Sequence, residues 1–426
     1  MTPLDILHDA LDSRAEIKEL VEKLHPSEIA DSLESLPQQL RDKLWQSVKQ
    51  AKVLPHLSDG VRGELMQEML PSQITAAVAS METDDAVDVL QDLPDELVEK
   101  VLQTLEMQDY RRLRQVLFYP ENSAGGLMNT DVLTVSTRMT LKMVLRYLRR
   151  FRQLPEKTDV LMVVDKNNCY RGVLSITDLL INSPTLLVKT VMSTNLEAIS
   201  AHLSAHDVAI LFEQRDLLSA PVIDKQGILV GRITIDDVVD VIRTEADHNL
   251  MGSAGLDEDN DMFAPILNTT HDRALWLGVN LGTAFLASYV IGLFEATLEQ
   301  MVALAILMPV VASMGGIAGS QTLTIVIRGM ALDQITNTNI LWLLKKELAV
   351  GLLNGVIWSI VLAIITILWF SNITLGLIIG SALLINLCFA AFAGVLIPIF
   401  LKYLSIDPAL AAGVTLTTIT DIIGFG

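Results

Sequence analysis

One acidic residue stands inside an otherwise apolar segment near the carboxyl end of the chain. Asp421 lies within Thr415–Gly424, roughly three helical turns into a run that begins near Ala409. A carboxylate at mid-membrane costs about 2.5–3.5 kcal/mol on insertion scales, and the apolar runs contain no Lys or Arg to offset it. The pattern indicates a cation site or a proton relay. The structural alternative is an Asp that is hydrogen-bonded to neighbouring hydroxyls or kept protonated.

Two further pairs of side chains have a spacing that could bind an ion. Asp84 and Asp88 are four residues apart in an acidic helical segment, so the pair is either a solvated face or half of a cation site. His202 and His206 are also four residues apart and could hold zinc on one helical turn. A third ligand and the Glu of the zinc-protease signature are missing, which favours a solvated helix face. The sequence contains neither a Walker loop nor a nucleophile elbow, and it predicts no enzyme.

Composition separates the chain into two parts. The 426 residues carry a net charge of −19 and yet have a mean hydropathy of +0.43, because acidic residues concentrate in 1–271. An excess of acid this large disfavours nucleic acid as a partner and suits cations. The two cysteines, Cys169 and Cys388, fall in different parts and offer no disulfide framework. Residues 1–14 lack the basic and apolar regions of a secretory signal.

The second part contains five apolar runs, each a candidate membrane span of the kind that needs about 20 helical residues. They are Ala274–Phe294, Gln300–Ile327, Leu348–Phe370, Ile373–Leu401 and a run from Ala409. The fifth is still apolar where the sequence stops at Gly426, so a truncated fifth helix is expected.

The basic residues predict the orientation of these spans. If the acidic part is cytoplasmic, all Lys and Arg residues in and next to the apolar part lie on the cytoplasmic side of the membrane. The loops on the other side of the membrane contain no Lys or Arg. These residues are Arg273, Arg328, Lys345, Lys346 and Lys402. Within the second run, Met308–Gln321 concentrates Pro309, glycines and small polar residues. This stretch is interpreted as a pore wall with breaks in its helix, or as a site of close helix packing.

The acidic part begins with helices and continues with a repeat. Segments 25–37 and 70–81 each place Pro-Ser before an apolar helical period, which predicts short stacked helices through about residue 120. Segments 160–180 and 220–239 each predict two strands and a helix that contains Gly-x-x-(Ser/Thr)-x-x-Asp. These units resemble a tandem pair of CBS domains. By that resemblance Asp178 and Asp237 would bind the ribose of an adenine nucleotide, with a purely structural pair as the alternative.

The whole arrangement resembles the MgtE family of magnesium transporters nearly end to end. The most specific segment is Tyr119–Met128, which is similar to the junction before the CBS pair of that family; Gly315–Gln321, Ile327–Leu332 and Asp407–Asp421 also follow its pattern. The resemblance implies a multidomain membrane protein with an all-α superhelical amino domain and an α/β CBS pair. The expected domains are 1–128 (acidic helical), 129–185 and 186–243 (CBS), 244–271 (connecting helix) and 272–426 (five-helix transmembrane pore).

The resemblance also implies a function. It predicts a homodimer in the lipid bilayer of the plasma (inner) membrane, with its amino-terminal domain in the cytoplasm and its pore on the two-fold axis. Asp421 of each subunit would hold Mg²⁺, and the backbone carbonyl near Thr417 would contribute. Cytoplasmic Mg²⁺ would close the pore by binding acids, with ATP as a further ligand of the CBS pair. Carried over onto this sequence, these acids are Asp84, Asp88, Asp216, Asp237 and Glu245.

Several residues depart from the family pattern. Ile317 stands where an Asn is usual, His248, Asn249 and His206 stand at positions that are usually acidic, and Leu217 and Thr177 replace residues that help bind ATP. We therefore expect weaker gating by Mg²⁺ than is usual in the family. Two other functions stay open: an ion-coupled secondary transporter of Co²⁺, Ni²⁺ or Mn²⁺, and a membrane-tethered sensor whose spans serve as an anchor.

Overall fold

A computed structural model gives the fold of the chain. The described residues are 14–48, 50–151, 154–155, 157–256, 262–264, 266–332, 334–336 and 338–426. The chain divides into two compact units, and each is described here by itself. The first unit comprises Met1–Ala246 with Asp259–Pro265, and the second comprises Asp247–Glu258 with Ile266–Gly426.

The first unit opens with short helices, as the Pro-Ser pattern predicts. They are α1 (Arg14–Val21), α2 (Pro26–Glu34), α3 (Gln38–Trp45), α4 (Gln50–Val53), a 3₁₀ turn (Leu54–His56), α5 (Asp59–Gln67), α6 (Pro71–Val78), α7 (Thr83–Gln91), α8 (Asp95–Thr104) and α9 (Met107–Val116). Pro26 and Pro71 occupy first helical positions, where the missing N–H costs nothing. Glu28 and Gln73 each accept a hydrogen bond from the backbone N–H before that proline. Apolar side chains from α1 to α9 form one continuous buried core.

Two three-stranded sheets follow, with one topology used twice. The elements are β1 (Thr134–Ser136), α10 (Leu141–Leu148), β2 (Val160–Val164), β3 (Tyr170–Ser175), α11 (Ile176–Ile181), α12 (Val188–Val191), β4 (Ile199–Ser200), α13 (Ala205–Arg215), β5 (Ser219–Ile223) and β6 (Leu229–Thr234). In each sheet the first strand pairs in parallel with the second and the second antiparallel with the third. Asp165 and Asp224 cap the corresponding hairpin turns through their side chains. The predicted β-β-α repeat is confirmed.

The segment Tyr119–Met128 joins the helices to these sheets. Its backbone pairs with the second sheet region, where Gly125 N–H donates to the Ala201 carbonyl at 2.9 Å. At Gly126 a Cβ atom would strike the backbone carbonyls of Pro120 and Glu121. Gly126 is therefore required by close backbone approach, and at Gly125 a Cβ atom would strike the Tyr119 side chain.

A long helix and then the apolar helices complete the chain. They are α14 (Ile235–Gly252), α15 (Ile266–Leu293), the short α16 (Glu295–Gln300), α17 (Val302–Ala331), α18 (Ile340–Phe370), α19 (Ile373–Tyr403) and α20 (Pro408–Phe425). Within the described residues five helices are long and apolar enough to cross a membrane, as the sequence predicts. The fifth, α20, has 18 residues. In the second unit α19 packs against α17, α18 and α20, and buried leucines and alanines fill these contacts.

The glycines of the second span do not break its helix, contrary to expectation. Helix α17 is continuous through Pro309 and through the glycines that follow. A Cβ at Gly319 would lie 3.0 Å from the Leu416 side chain, and one at Gly315 would meet Asn386, whereas one at Gly316 would meet nothing within 4 Å. Gly315 and Gly319 therefore serve close helix packing, and Gly316 lies on an open face.

Candidate functional site

The helix that carries Asp421 has a well-defined start. Asp407 is the N-cap of α20: its Oδ1 accepts a hydrogen bond from Ala409 N–H at 2.8 Å, and Pro408 takes the first helical position. Along the helix the threonine hydroxyls turn back to the backbone. Thr417 and Thr418 donate to the Val414 carbonyl at 3.0 and 2.7 Å.

Asp421 itself is half-buried, and within the described residues its carboxylate has no hydrogen bond or salt bridge. Thr420 and Thr418, the neighbouring hydroxyls that could have satisfied it, donate to backbone carbonyls instead. The structural alternative of a carboxylate satisfied by nearby hydroxyls is therefore not what the structure contains. With no partner among the described residues, the Asp421 carboxyl is either protonated or takes a partner from outside the chain.

The backbone carbonyl of Thr417, the second expected ligand, already accepts a hydrogen bond. The Thr420 hydroxyl donates to it at 3.0 Å. In an α-helix this carbonyl also accepts from the N–H four residues later, so both of its lone pairs are used. Thr417 would contribute to an ion site after the Thr420 hydroxyl rotates away, or through a water molecule.

One face of α17 is open and polar. An open groove runs along it and is lined by Ser313, Gly316, Ile317, Ser320, Gln321, Thr324 and Ile325. Ser313, Ser320 and Gln321 are exposed within this chain, and polar groups of this kind are not left facing lipid tails. The predicted close packing thus occurs on one face of α17, and another face carries an open polar groove where the pore wall is predicted.

A second carboxylate in the apolar unit is satisfied, in contrast to Asp421. Glu347, near the start of α18, is only 4% exposed. Its Oε1 accepts from Lys346 Nζ at 2.6 Å, and its Oε2 accepts from the Thr322 hydroxyl of α17 at 3.3 Å. Sequence reasoning assigned Glu347 no role; the adjacent Lys346 is the only signal of its pairing. We interpret Glu347 as a structural link between α17 and α18.

In the first unit, Asp84 belongs to a cluster of acids that includes the start of α14. Asn129 Nδ2 donates to Glu82 at 2.5 Å and to both carboxylate oxygens of Asp84 at 3.2 and 3.3 Å. Burial and the charge of Asp237 raise the pKa of Asp84 well above its usual value. The predicted ligands Asp84 and Asp237 therefore do lie close enough to repel each other.

Asp237 is held at the first turn of α14. Its Oδ2 accepts from both the backbone N–H and the hydroxyl of Thr234, at 3.1 Å each. Burial and the charge of Asp236 raise the pKa of Asp237 to about 7. Lys157, which the sequence analysis did not single out, forms a salt bridge with Asp236 and is a basic residue placed within this acidic cluster.

Asp85 and Asp88 extend this acidic surface along α7. Burial and the charge of Glu82 raise the pKa of Asp85 to about 6. Burial raises the pKa of Asp88 to about 7, although the nearby Arg62 opposes the shift. Asp84 and Asp88 share a helix, as predicted, but they face different neighbours.

The remaining predicted ligands lie apart from this cluster. Asp216 is exposed at the carboxyl end of α13, in a left-handed conformation. Glu245 on α14 lies 2.5 Å from His206 Nδ1. Among the described side chains, no group of three or more His, Cys, Asp or Glu residues is arranged to hold a metal ion. The acids could therefore supply one or two carboxylates to a hydrated ion, which is the usual way in which proteins bind Mg²⁺.

The spacing of His202 and His206 does not place them on one helical turn. Helix α13 begins at Ala205 with Ser204 as its N-cap, so His202 precedes the helix. The His202 ring packs edge-on against Tyr119, with ring centroids 5.7 Å apart, whereas His206 pairs with Glu245. The pair is therefore neither a zinc site nor a solvated helix face.

In the second unit, the end of α14 lies against the start of α20. His248 Nε2 contacts Asp407 Oδ2, the second oxygen of the N-cap carboxylate. A Cβ at Gly252 would lie 3.2 Å from the Ala409 side chain, so the two helices approach closely. The helix that carries Asp421 is thus linked at its first residue to the last turns of α14.

Asp178 and Asp237 occupy equivalent places in the two sheet repeats. Asp178 Oδ2 accepts from the hydroxyl of Ser175 at 2.7 Å, just as Asp237 accepts from that of Thr234. Their surroundings differ, because Asp237 is surrounded by Asp84 and Asp236, whereas the carboxylate of Asp178 interacts with its own N-cap serine. A polyphosphate would be repelled more strongly at Asp237 than at Asp178.

Comparison with known proteins gives three family matches in chain order. The sequence model of the MgtE intracellular N domain matches residues 24–122, that of the CBS domain matches 124–183 and 188–244, and that of the MgtE divalent cation transporter matches 308–426. The magnesium transporter MgtE of Bacillus subtilis is 29% identical over 416 residues, which cover 96% of this chain and 91% of that protein. The magnesium transporter MgtE of Thermus thermophilus is 29% identical over 421 residues, covering 97% and 93%.

A solved structure is similar to the first unit. It is the cytosolic domain of the Mg²⁺ channel MgtE in complex with ATP, with 29% sequence identity and a TM-score of 0.52. The match covers 56% of this chain and 99% of that structure.

The raised pKa values predict that the acidic cluster becomes less stable as the pH rises. Unfolded Asp side chains titrate near 3.9, so the folded cluster binds more protons than the unfolded chain up to about pH 7. Stability is therefore lost as the pH rises between the unfolded and the folded pKa. Without divalent cations, the protection of the α7 amides against hydrogen–deuterium exchange, after correction for the intrinsic exchange rate at each pH, should fall between about pH 4 and about pH 7.

The Asp237→Asn variant should weaken this pH dependence, because it removes one of the interacting charges. The matched control is Asp207→Asn, in the exposed first turn of α13, where the carboxylate accepts from the N-cap Ser204. An exchange rate with the same pH dependence in wild type and Asp237→Asn would contradict the prediction.

Proposed function

We propose that this chain, which belongs to the MgtE family, takes up Mg²⁺ across the plasma (inner) membrane as a homodimer whose subunits each contribute Asp421 to one pore. The observation that carries the proposal is the Asp421 carboxylate, which lies in a membrane span and has no hydrogen bond or salt bridge within the described residues. A second copy would place two such carboxylates together. The exposed polar face of α17 is the surface that a second copy and a water-filled pore would cover.

Mg²⁺ suits such a site chemically. The ion loses its water reluctantly and prefers oxygen ligands in octahedral geometry, so one or two carboxylates around a largely hydrated ion are a usual arrangement. Permeation also requires binding weak enough for release, which two carboxylates provide better than a complete cage of ligands. We therefore infer a channel mechanism. Coupled transport of Co²⁺, Ni²⁺ or Mn²⁺ would instead require Asp421 to exchange protons.

The orientation proposed for the chain places the acidic first unit in the cytoplasm. Arg328 lies in the last turn of α17 and Lys402 in the last turn of α19, and Lys345 and Lys346 lie near the start of α18. All of these helix ends fall on one side if the spans alternate in direction, and basic residues favour the cytoplasmic side.

Cytoplasmic Mg²⁺ would act on the first unit by neutralising its acids. Asp84 and Asp237 repel each other, and a hydrated Mg²⁺ between them would remove this cost. We assign Asp88, Asp216 and Glu245 as further Mg²⁺ contacts, completed by the second subunit. The compact form with bound Mg²⁺ would be the closed state.

Helix α14 is placed to transmit this change. It begins at the acidic cluster with Asp236 and Asp237, and its last turns contact the N-cap of the helix that carries Asp421. ATP would bind in the CBS pair at Asp178 rather than Asp237, because the acids around Asp237 oppose a triphosphate. The solved relative with ATP bound supports a nucleotide site in this fold.

Replacing the intramembrane carboxylate should abolish transport. Asp421→Asn keeps the size of the side chain but removes the charge that replaces part of the hydration of the ion, so uptake should fall by roughly tenfold or more. Rescue of a strain that lacks magnesium uptake tests this in cells. The matched control is Glu299→Gln in α16, outside the long helices, which should rescue like wild type.

The driving force separates the two transport mechanisms. Proteoliposomes with a potassium diffusion potential and no pH gradient should take up Mg²⁺ if the protein is a channel. Uptake that required a proton gradient, or full rescue by Asp421→Asn, would contradict the proposal.

Breaking the link between His248 and Asp407 should alter gating without removing the ion site. His248→Ala and Asp407→Asn each loosen the contact of α14 with α20, and Asn at 407 can still cap the helix. Each variant should change the Mg²⁺ concentration that closes the pore in proteoliposomes.

The double variant should resemble either single variant, because the effects of substituting two residues in contact are not additive. Ser253→Ala, whose hydroxyl bonds within its own helix, is the control; fully additive effects would exclude the link.

A further inference from the structure

A fully buried amide stands at the junction of three membrane helices. Asn386, near the middle of α19, is 0% exposed. Its Nδ2 donates to the backbone carbonyl of Val311 in α17 at 2.9 Å. The orientation of the amide follows from this contact, because the reversed amide would direct its oxygen at the carbonyl oxygen. Asn386 therefore ties α19 to α17 at membrane depth.

Two glycines make room for this amide. A Cβ at Gly315 of α17 would overlap the amide, with only 2.7 Å to Asn386 Cγ and 2.9 Å to its Oδ1. A Cβ at Gly424 of α20 would lie 2.9 Å from Asn386 Nδ2. The backbones of α17 and α20 thus both approach the same side chain. Any larger residue at either glycine would displace one of the two helices.

The buried Asn386 amide is not explained by a gain in folding stability. Its Oδ1 is buried and has no hydrogen-bond donor within the described residues, which costs free energy. The Val311 carbonyl, to which its Nδ2 donates, lies inside α17 and has an acceptor role within that helix as well. An apolar side chain of similar size would avoid the unsatisfied oxygen, so the polar group is better explained by a role in function.

The position of Gly424 connects this junction with the ion site. Gly424 follows Asp421 by one helical turn on α20, so a contact at Gly424 fixes the height and rotation of the turn that bears the carboxylate. We propose that Asn386 is a positioning residue that sets the place of Asp421 relative to α17. This proposal rests on the proposed function, in which Asp421 contacts the ion.

Positioning matters more for Mg²⁺ than for a larger ion. Mg²⁺ demands near-ideal octahedral geometry, whereas Ca²⁺ accepts irregular oxygen sets. A displaced Asp421 should therefore reduce discrimination between the two ions. Loss of folded protein would instead lower the uptake of both ions in the same proportion. The ratio of Mg²⁺ to Ca²⁺ uptake is thus a readout that a merely structural role would not change.

The experiment uses the full-length protein in proteoliposomes. Asn386→Leu removes the amide at similar size, and the Mg²⁺ to Ca²⁺ uptake ratio should fall by roughly tenfold, as for partners behind metal ligands. Gly424→Ala should lower the ratio in the same direction, because the added methyl pushes α20 away from Asn386. Gly282→Ala in α15 is the control, since a Cβ there would meet nothing within 4 Å.

A size exchange tests the geometry directly. Gly315→Ala should lower the ratio, and Asn386→Ala combined with Gly315→Ala should recover part of it, because the methyl group enters the space that the amide leaves. A wild-type ratio in both Asn386→Leu and Gly424→Ala would overturn the proposal. If Asn386→Leu does not fold, an unchanged ratio in Gly424→Ala is sufficient to overturn it. Transport by Asp421→Asn at the wild-type rate would instead refute the proposed function, so the two failures are distinguishable.

Discussion

A carboxylate at membrane depth is costly unless it is paired, protonated or bound to a cation, and among the described residues nothing forms a hydrogen bond or salt bridge with Asp421. Glu347 differs from Asp421, because the Glu347 carboxylate accepts hydrogen bonds from Lys346 and Thr322. Asp421 is the same chemical group in the same bilayer, and the threonines beside it turn their hydroxyls to the backbone. Under the proposed function the missing partner is the transported ion, and a hydrated divalent cation suits a carboxylate because Mg²⁺ prefers oxygen ligands.

The helices around Asp421 pack closely against one another, and this packing holds the Asp421 turn of α20 in place. Small residues allow α17, α19 and α20 to approach closely, which is how membrane helices associate when no hydrophobic effect drives them together. A Cβ at Gly394 would lie 2.9 Å from the Gly319 carbonyl, and Gly319 in turn accommodates Leu416. The same helix α17 leaves its opposite, polar face open. One helix thus combines a packing surface with a surface suited to water.

Sequence reasoning succeeded where a local rule decides the outcome. Span length predicts the five apolar helices, Pro at the first helical position predicts the short helices, and the Gly-x-x-(Ser/Thr)-x-x-Asp repeat predicts both sheets. It failed where the partner is distant in sequence. Asn386 contacts a carbonyl 75 positions away, and Lys157 pairs with an acid 79 positions away. Nothing in the flanking residues distinguishes either one. The expected break of α17 at its glycines was wrong for the same reason. A glycine either interrupts a helix or allows a neighbouring helix to approach closely, and which of the two occurs depends on the facing helix.

The acidic first unit already contains part of the positive charge that a metal would bring. Two carboxylates about 6 Å apart repel by about 3 kcal/mol at an effective dielectric near 20, and moving a switch from 1:99 to 99:1 takes about 5.5 kcal/mol. Lys157 forms a salt bridge with Asp236 in this unit. This pair lowers the repulsion that Mg²⁺ could relieve. Because a ligand shifts an equilibrium only by its differential affinity for the two states, less of the closing free energy remains for Mg²⁺ to supply. Lys157 is thus a physical reason to expect weaker Mg²⁺ gating of this chain.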